Sequence, residues 1–188
     1  MLPREIYLKL VNDHIKNKNL VKHCLCVEAA MRALSKEFQG DEELWARVGL
    51  VHDVDWEETQ GDITTHTKKT EEWLEELGET ENQIIEAVLA HNYTSTGYRS
   101  PHNPLEWSLY TCDELTGLIV ATTLVRPDKK LGNVEATSVL KKFPQKSFAA
   151  GVNREQVKLC EEKLGIKIEK FVEVVLSGMK TISSELGL

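Results

Sequence analysis

The residues whose types and spacing best suit chemistry are the adjacent His52 and Asp53, which close an apolar run over residues 48–51. On a helix, neighbouring side chains point about 100° apart, so packing against a single core does not account for both. Burying an imidazole and a carboxylate costs free energy unless each finds a partner. A divalent transition metal is the usual partner, because imidazole nitrogen and carboxylate oxygen suit Mn, Fe, Co, Ni and Zn.

Four further potential ligands are distant in the sequence: His23 lies upstream, and His66, His91 and Asp113 lie downstream. A lone histidine on an apolar helix face is more often a hydrogen-bonded core residue than a ligand. A buried aspartate can likewise pair with a lysine or an arginine. The potential ligands come from at least four predicted helices, so they can converge only in the core of a bundle. The set as a whole predicts a metal site, whereas each residue alone does not.

The elements that must position these residues are helices. Hydrophobic periodicity predicts helices along the chain, and no segment is typical of a strand, so the expected fold class is all-α. Asp41 and Asn153 are expected caps, Thr80 begins a segment with capping-box spacing, and residues 92–104 read as a loop. His66 is expected in the first turn of its helix. The predicted helices cover residues 3–16, 20–38, 42–56, 66–77, 80–91, 105–125, 135–143, 154–164 and 167–186.

In type and order, the candidate ligands resemble the signature of the HD superfamily of metal-dependent phosphohydrolases. That signature is a distant His, an adjacent His-Asp and a distant Asp, and the matching residues here are His23, His52, Asp53 and Asp113. The resemblance runs over about residues 20–126. It implies an HD-domain helical bundle in which these four residues bind one metal ion.

His66 and His91 match the two additional histidines of the dinuclear branches of that superfamily. The resemblance then implies that Asp53 bridges to a second ion, whose site the two histidines complete. Two ions about 3.5–4 Å apart can activate a water and hold the oxygens of an in-line phosphoryl displacement. We therefore expect one or two divalent transition metal ions per chain, of Fe, Mn, Co, Ni or Zn.

The position of the proton donor departs from the family pattern. Several branches place a catalytic Glu, His or Lys three residues after the Asp, but Trp56 occupies that position here. Glu57 or Asp55 could replace it from a neighbouring position, water could protonate the leaving group, or both acids could belong to a solvated turn. We take Glu57, with His52 and Asp53, as the expected catalytic set.

Positive charge is needed to receive a phosphate beside acidic ligands. A basic stretch follows the predicted helix over 105–125, although Arg126 lies about 20 Å from Asp113 along the helix axis. Either the chain folds back and these residues bind a substrate with several anionic groups, as nucleotides have, or they form a solvated basic face. The expected phosphate-binding residues are Arg126, Lys129, Lys130, Lys141 and Lys142.

The segment that follows His91 contains two aromatic residues and an arginine. Its position beside a candidate ligand suits a lid in which Tyr93 stacks on a base and Arg99 binds phosphate. The same segment could equally be a simple connection between helices.

Composition narrows the functional classes. The net charge of −7 disfavours binding of polymeric nucleic acid, and no apolar run reaches the roughly 20 residues that span a membrane. The four cysteines lack CxxC spacing, which favours free thiols in a reducing compartment. With no apolar stretch typical of a signal peptide at the start, we expect a cytoplasmic protein.

The expected organisation is one HD-type domain over residues 1–188, with a core at about 20–126 and C-terminal helices over 135–188 packed on it. The leading hypothesis is an enzyme, a phosphohydrolase whose partner is a small phosphorylated substrate, with a nucleotide favoured. A non-catalytic nucleotide-binding sensor, a di-iron oxygenase and a helical interaction module without metal remain alternatives. The sequence leaves open whether the protein is a monomer or a homo-oligomer.

Overall fold

A computed structural model describes residues 1–188, and they form helices without any strand, which confirms the all-α prediction. Two short 3-10 helices, Ile63–Thr65 and Leu131–Asn133, lie between the α-helices. The α-helices are α1 (Arg4–His14), α2 (Lys18–Glu37), α3 (Glu42–Val51), α4 (Trp56–Thr59), α5 (Lys68–Glu76), α6 (Asn82–Ala90), α7 (Tyr93–Thr96), α8 (Pro104–Leu124), α9 (Ala136–Lys142), α10 (Arg154–Leu164), α11 (Ile168–Lys180) and α12 (Ser183–Leu186).

Polar side chains begin several of these helices by binding backbone N–H groups that have no partner inside the helix. The Asp41 carboxylate accepts from the first turn of α3, and the Asn153 side chain accepts from Gln156 N–H in α10, as predicted. At α6 the cap is Glu81 rather than Thr80, because the Glu81 carboxylate accepts from the N–H of Gln83.

Helix α2 lies at the centre of the bundle, where it packs against α3, α8 and α11. Helix α6 contacts α3 and α8, and α10 packs along α8. One continuous cluster of buried apolar side chains runs from Tyr7 to Leu186. Helices α2, α3, α6 and α8, which carry most of the candidate ligands, therefore share one core.

The close approach of α2 and α3 depends on Gly49. A Cβ atom at this position would lie 2.7 Å from the carbonyl oxygen of Val27, closer than real side chains come. The absence of a side chain thus lets the backbones of the two helices touch, which is a packing reason for glycine inside a helix.

Several predicted elements differ from the structure, including the helix predicted over 167–186, which is divided into α11 and α12. The helix predicted over 42–56 ends at Val51, and residues 52–55 form turns before α4. The helix predicted over 66–77 begins at Lys68, after Thr67, whose φ of 79° lies in the left-handed region and does not continue a helix. The loop predicted over 92–104 contains the short helix α7.

The four cysteines are buried and unpaired, as predicted. None of the helices combines the length and the apolarity that crossing a membrane requires.

Candidate metal centre

The six predicted ligands converge on one place in the bundle core. His23 comes from α2, and Asp113 from the middle of α8. His52 and His91 are the residues that cap the C-terminal ends of α3 and α6. Asp53 and His66 belong to the turns that follow α3 and precede α5. Four helices and two turns therefore meet at the cluster.

One group of potential ligand atoms comprises His23, His52 and Asp113. His23 Nε2 lies 2.9 Å from Asp113 Oδ1 and 3.2 Å from His52 Nε2. His52 Nε2 lies 3.6 Å from the same oxygen of Asp113. These separations suit three ligands at the corners of one metal site.

A second group comprises Asp53, His66 and His91. Asp53 Oδ1 lies 3.2 Å from His66 Nε2 and 3.5 Å from His91 Nε2. The two imidazole nitrogens are 3.3 Å apart. Three ligand atoms again surround one point.

The two oxygens of Asp53 face different groups. Oδ1 faces His66 and His91, whereas Oδ2 lies 3.4 Å from His52 Nε2 and 3.6 Å from His23 Nε2. A carboxylate shared in this way is suited to bridge two ions. The sequence predicted this role through the family resemblance, and the geometry is compatible with it.

The far nitrogen of each imidazole is held by another group. His52 Nδ1 donates to the carbonyl of Gly49 at 2.9 Å, and His91 Nδ1 donates to that of Val88 at 2.6 Å. Both acceptors are carbonyls of the last helical turn, three residues before the histidine, where carbonyls lack partners within the helix. Each histidine thus ends its helix and turns Nε2 toward the cluster.

The other two imidazoles are held by side chains. His66 Nδ1 donates to Asp55 Oδ1 at 2.6 Å, and the other oxygen of Asp55 accepts from Thr70 N–H at 3.3 Å. Thr116 Oγ1 donates to the carbonyl of Asp113, so its oxygen is left to accept from His23 Nδ1 at 3.3 Å. Partners of this kind fix the tautomer and ring orientation of metal-binding histidines.

The donor inventory shows that these residues fit a metal. With every Nδ1 donating outward, a neutral imidazole presents only the lone pair of Nε2 to the cluster. Four such nitrogens and the oxygens of Asp53 and Asp113 are all acceptors, and acceptors alone do not satisfy one another. The cluster therefore needs cations, which are either protons or metal ions.

The pKa values of the cluster reflect the same need. Burial opposes charge on His52, but Asp53 and Asp113 outweigh it and raise the pKa of His52 well above its ordinary value. Burial also opposes charge on His66, yet hydrogen bonds to Asp53 and Asp55 raise its pKa to about 9. Without metal, protons occupy part of the place that a metal would take.

A cavity of about 300 Å³ opens onto both groups. Besides five of the candidate ligands, its walls contain apolar residues, polar uncharged residues and one further carboxylate. The apolar part is Trp56, Ile63, Gly117 and Val152. The polar part is Asn92, Thr94, Tyr110, Glu114 and Gln156. A small molecule can thus reach the cluster and be held by hydrogen bonds.

Glu57, the expected proton donor, has a different role. Its two carboxylate oxygens accept from the backbone N–H groups of Lys16 at 2.9 Å and Asn17 at 2.5 Å, at the connection between α1 and α2. It does not line the cavity that opens onto both groups. The turn over 52–55 directs Glu57 to this connection, where it lines a second cavity that contacts His23.

The basic residues expected to bind phosphate do not line the cavity. Arg126 is half-buried beyond the end of α8 and pairs with Asp128. The chain does not fold back far enough to bring the others to the cluster, which favours the alternative of a solvated basic face. These other residues, none of which lines the cavity, are Lys129, Lys130, Lys141 and Lys142.

The expected lid residues lie beside the cavity without lining it. Tyr93 packs against Tyr110, with ring centroids 5.3 Å apart, and so supports a residue of the cavity wall. Arg99 is bound by Glu106 and Glu86, which leaves its guanidinium engaged away from the cluster. In this position Arg99 has two carboxylate partners and does not line the cavity.

Sequence reasoning missed Glu114 and Gln156, and it considered Asp55 only as a replacement proton donor. Asp55 was one of several acids in a turn, and nothing local indicated that it is fully buried against His66. Glu114 carried a usable signal, because it is a second charged residue beside Asp113 in an otherwise apolar helix. Gln156 reaches the cavity from α10, which only the tertiary fold reveals.

Comparison with known proteins gives one match. Residues 20–122 match a protein-family model described as the HD domain, a segment that contains all six candidate ligands. The curated proteins and the solved structures give no significant match.

Proposed function

The chain belongs to the HD-domain family, and on this premise we propose that it is a metal-dependent phosphohydrolase with a dinuclear centre. The proposed substrate is a nucleotide or another small phosphorylated metabolite. Members of this family are generally hydrolases that bind divalent metals. The observation that carries the proposal is the position of Asp53, whose two carboxylate oxygens face separate groups of ligands.

Under this proposal, each candidate ligand would have a defined role in metal binding. His23, His52 and Asp113 would hold one divalent ion, His66 and His91 a second, and Asp53 both. The bound ions would supply an activated water and the positive charge that polarises phosphoryl oxygens. The outward hydrogen bonds of the imidazoles keep the ligands preorganised, so little rearrangement is needed when a substrate arrives.

The cavity walls would orient the substrate. Trp56 and Ile63 line the cavity with apolar surface, which would displace water from part of the bound substrate and strengthen electrostatic interactions there. Asn92 and Thr94 line the wall after α6 and are able to donate hydrogen bonds to phosphoryl oxygens.

Release of inorganic phosphate tests this proposal. Protein loaded with Mn, Fe, Co, Ni or Zn is incubated with a panel of phosphate esters, and we expect turnover that is lost in Asp53→Ala. The double variant Lys141→Ala, Lys142→Ala is the matched control, and it should keep kcat and KM because neither lysine lines the cavity. Activity retained in Asp53→Ala would contradict the proposed bridge.

A metal-containing domain that binds a nucleotide without turnover is the second candidate. It is favoured by Trp56, an apolar residue at the position where several HD branches have a proton donor. Saturable binding of a nucleotide to the metal-loaded protein, with no release of phosphate from any ester, would select this candidate over the enzyme.

A further inference from the structure

We infer that the centre is selective for phosphomonoesters, in which a single phosphoryl group is carried by a neutral moiety rich in hydrogen-bond donors, and that Glu114 is the residue that excludes further phosphoryl groups. This inference rests on the proposed function and narrows its substrate class. It comes from the charge of the walls that surround the cluster.

Two cavities open onto the candidate ligands, and neither is lined by a lysine or an arginine. The second, of about 440 Å³, contacts the cluster at His23 and continues past Trp56. Its remaining lining residues are Asn17, Asn19, Leu20, Glu57 and Gln60. Binding of a second or third phosphoryl group ordinarily uses arginine or lysine side chains. Around this centre, only the metal ions would supply positive charge.

Glu114 adds negative charge on the substrate side of the ligands. It lines the same cavity as Asp113, its neighbour in α8. Its Oε2 accepts from Asn153 N–H at 2.9 Å, which fixes the side chain to the start of α10. Three carboxylates, those of Asp53, Asp113 and Glu114, thus offset much of the charge of two divalent ions. A phosphoryl group beyond the first would be repelled by this negative charge. Proteins commonly use such repulsion to disfavour binding of the wrong ligand.

The same wall is able to bind a neutral carrier. Gln156 Nε2 donates to the carbonyl of Tyr110 at 2.7 Å, which leaves the Gln156 side-chain oxygen as an acceptor. Glu114 Oε1 has no hydrogen-bond partner within the chain, so it is a second acceptor in the cavity. Hydroxyl or amino groups, such as those of a sugar or a nucleoside, are the complementary donors.

This wall is built partly by residues outside the family match. Val152 and Gln156 follow the matched segment 20–122, and Asn153, which holds Glu114, also lies beyond it. The selectivity therefore depends on residues of both origins, because Glu114 and the candidate ligands fall inside the matched segment, whereas the residues that hold Glu114 and complete the wall lie beyond it.

The test compares substrates that differ only in the number of phosphoryl groups. The metal-loaded full chain is given a nucleoside 5′-monophosphate and the corresponding di- and triphosphate, together with a sugar monophosphate and bisphosphate. We expect kcat/KM for each monophosphate to exceed that for its more highly charged partner by about tenfold or more. Calorimetric binding of orthophosphate and pyrophosphate is measured in parallel, with metal content determined again afterwards so that metal loss is not taken for binding.

Glu114→Gln should reduce the ratio of kcat/KM for the monophosphate to kcat/KM for the diphosphate. It should also strengthen binding of pyrophosphate relative to binding of orthophosphate. Glu155→Gln, which removes the same charge from an exposed position on α10, is the matched control and should leave the ratios unchanged. Equal or better use of the triphosphate by the unaltered protein, or ratios that Glu114→Gln does not move, would overturn the inference. If no ester is hydrolysed, the enzymatic proposal fails, and the phosphate and pyrophosphate affinities still decide the inference.

Discussion

At the residue scale, the candidate centre is defined by what lies behind each ligand. Two histidines donate Nδ1 to carbonyls at the ends of their own helices, one to a threonine and one to Asp55. Only the His66 partner carries a formal charge, and the Asp55 side chain is fully buried. Asp55 is therefore the position where a single substitution changes the basicity of one ligand without removing it.

Asp55→Asn should weaken binding of the second ion. The asparagine oxygen can still accept from His66 Nδ1, but the loss of negative charge lowers the basicity of the ring. Loss of such an outer partner typically costs about 10–100-fold in metal affinity. Metal titration of the variant should show one weakened site and one unchanged site.

Glu58→Gln, an exposed charge change three residues away, is the control and should titrate like the unaltered protein. Equal weakening of both sites by Asp55→Asn would indicate a general loss of structure. An unchanged second site would remove Asp55 from the centre.

Metal affinity should rise with pH. Because hydrogen bonds to Asp53 and Asp55 raise the pKa of His66 to about 9 against the effect of burial, its ring holds a proton at neutral pH when metal is absent, and the raised pKa of His52 acts in the same direction. An incoming ion must displace these protons, so apparent affinity falls as pH drops below about 9. Calorimetric titrations at pH 7 in buffers of different ionisation enthalpy should reveal released protons, and affinity that is flat between pH 6.5 and 8.5 would contradict the assignment.

The sequence was enough to select candidate ligands that the structure brings together, because their types and order can be read along the chain. It did not identify the outer partners, because a hydrogen bond such as that between Thr116 and His23 depends on how α2 meets α8. Glu57 is the opposite case, because the sequence suggested a role for it that its contacts do not support. Its place in the sequence suggested catalysis, but the turn after α3 sends it to the backbone of Lys16.

At the element scale, the contact between α2 and α3 sets the first group of ligands. His23 lies on α2, His52 caps the end of α3, and Gly49 allows the two backbones to approach. The ends of helices position candidate ligands as well as their faces do, since α3 and α6 each end at a candidate ligand.

Gly49→Ala should separate the two helices. The added Cβ would lie 2.7 Å from the Val27 carbonyl oxygen, so the helices must shift, at a cost of about 1–3 kcal/mol in the free energy of unfolding. Metal affinity should fall as well, because His52 moves relative to His23.

Gly132→Ala, where an added Cβ meets nothing within 4 Å, is the matched control for chemical denaturation. It should change the unfolding free energy by less than about 0.5 kcal/mol. If Gly49→Ala changed the unfolding free energy no more than this control does, the close approach of α2 and α3 would not require glycine at position 49.

Helix existence was predictable from periodicity, but helix ends near the centre were not. The apolar pattern continues to Val54, so nothing in the sequence indicates that α3 stops at Val51. The sequence likewise does not predict the left-handed backbone conformation of Thr67, because threonine rarely adopts it. Such departures from local preference are concentrated at functional sites.

At the scale of the whole molecule, the candidate ligands all lie inside the family match, whereas the cavity wall combines residues inside it with residues beyond it. Helices within the matched segment 20–122 bring the six ligands together, whereas α10 closes the cavity with Gln156. The predicted ligands converge in the bundle, whereas the basic stretch around Arg126 and Lys141 does not line the cavity. A ligand set can be recognised from residue order, but a cavity wall depends on contacts between distant parts of the chain.

The most direct test of the dinuclear centre is a count of metal ions per chain, by elemental analysis of protein prepared without a polyhistidine tag or chelator. We predict close to two ions for the unaltered protein, close to one for His91→Ala, and two for the matched control His102→Ala, whose side chain is exposed. A count of one in the unaltered protein, or the same count in His91→Ala, would contradict the assignment of Asp53 as a bridge between two ions.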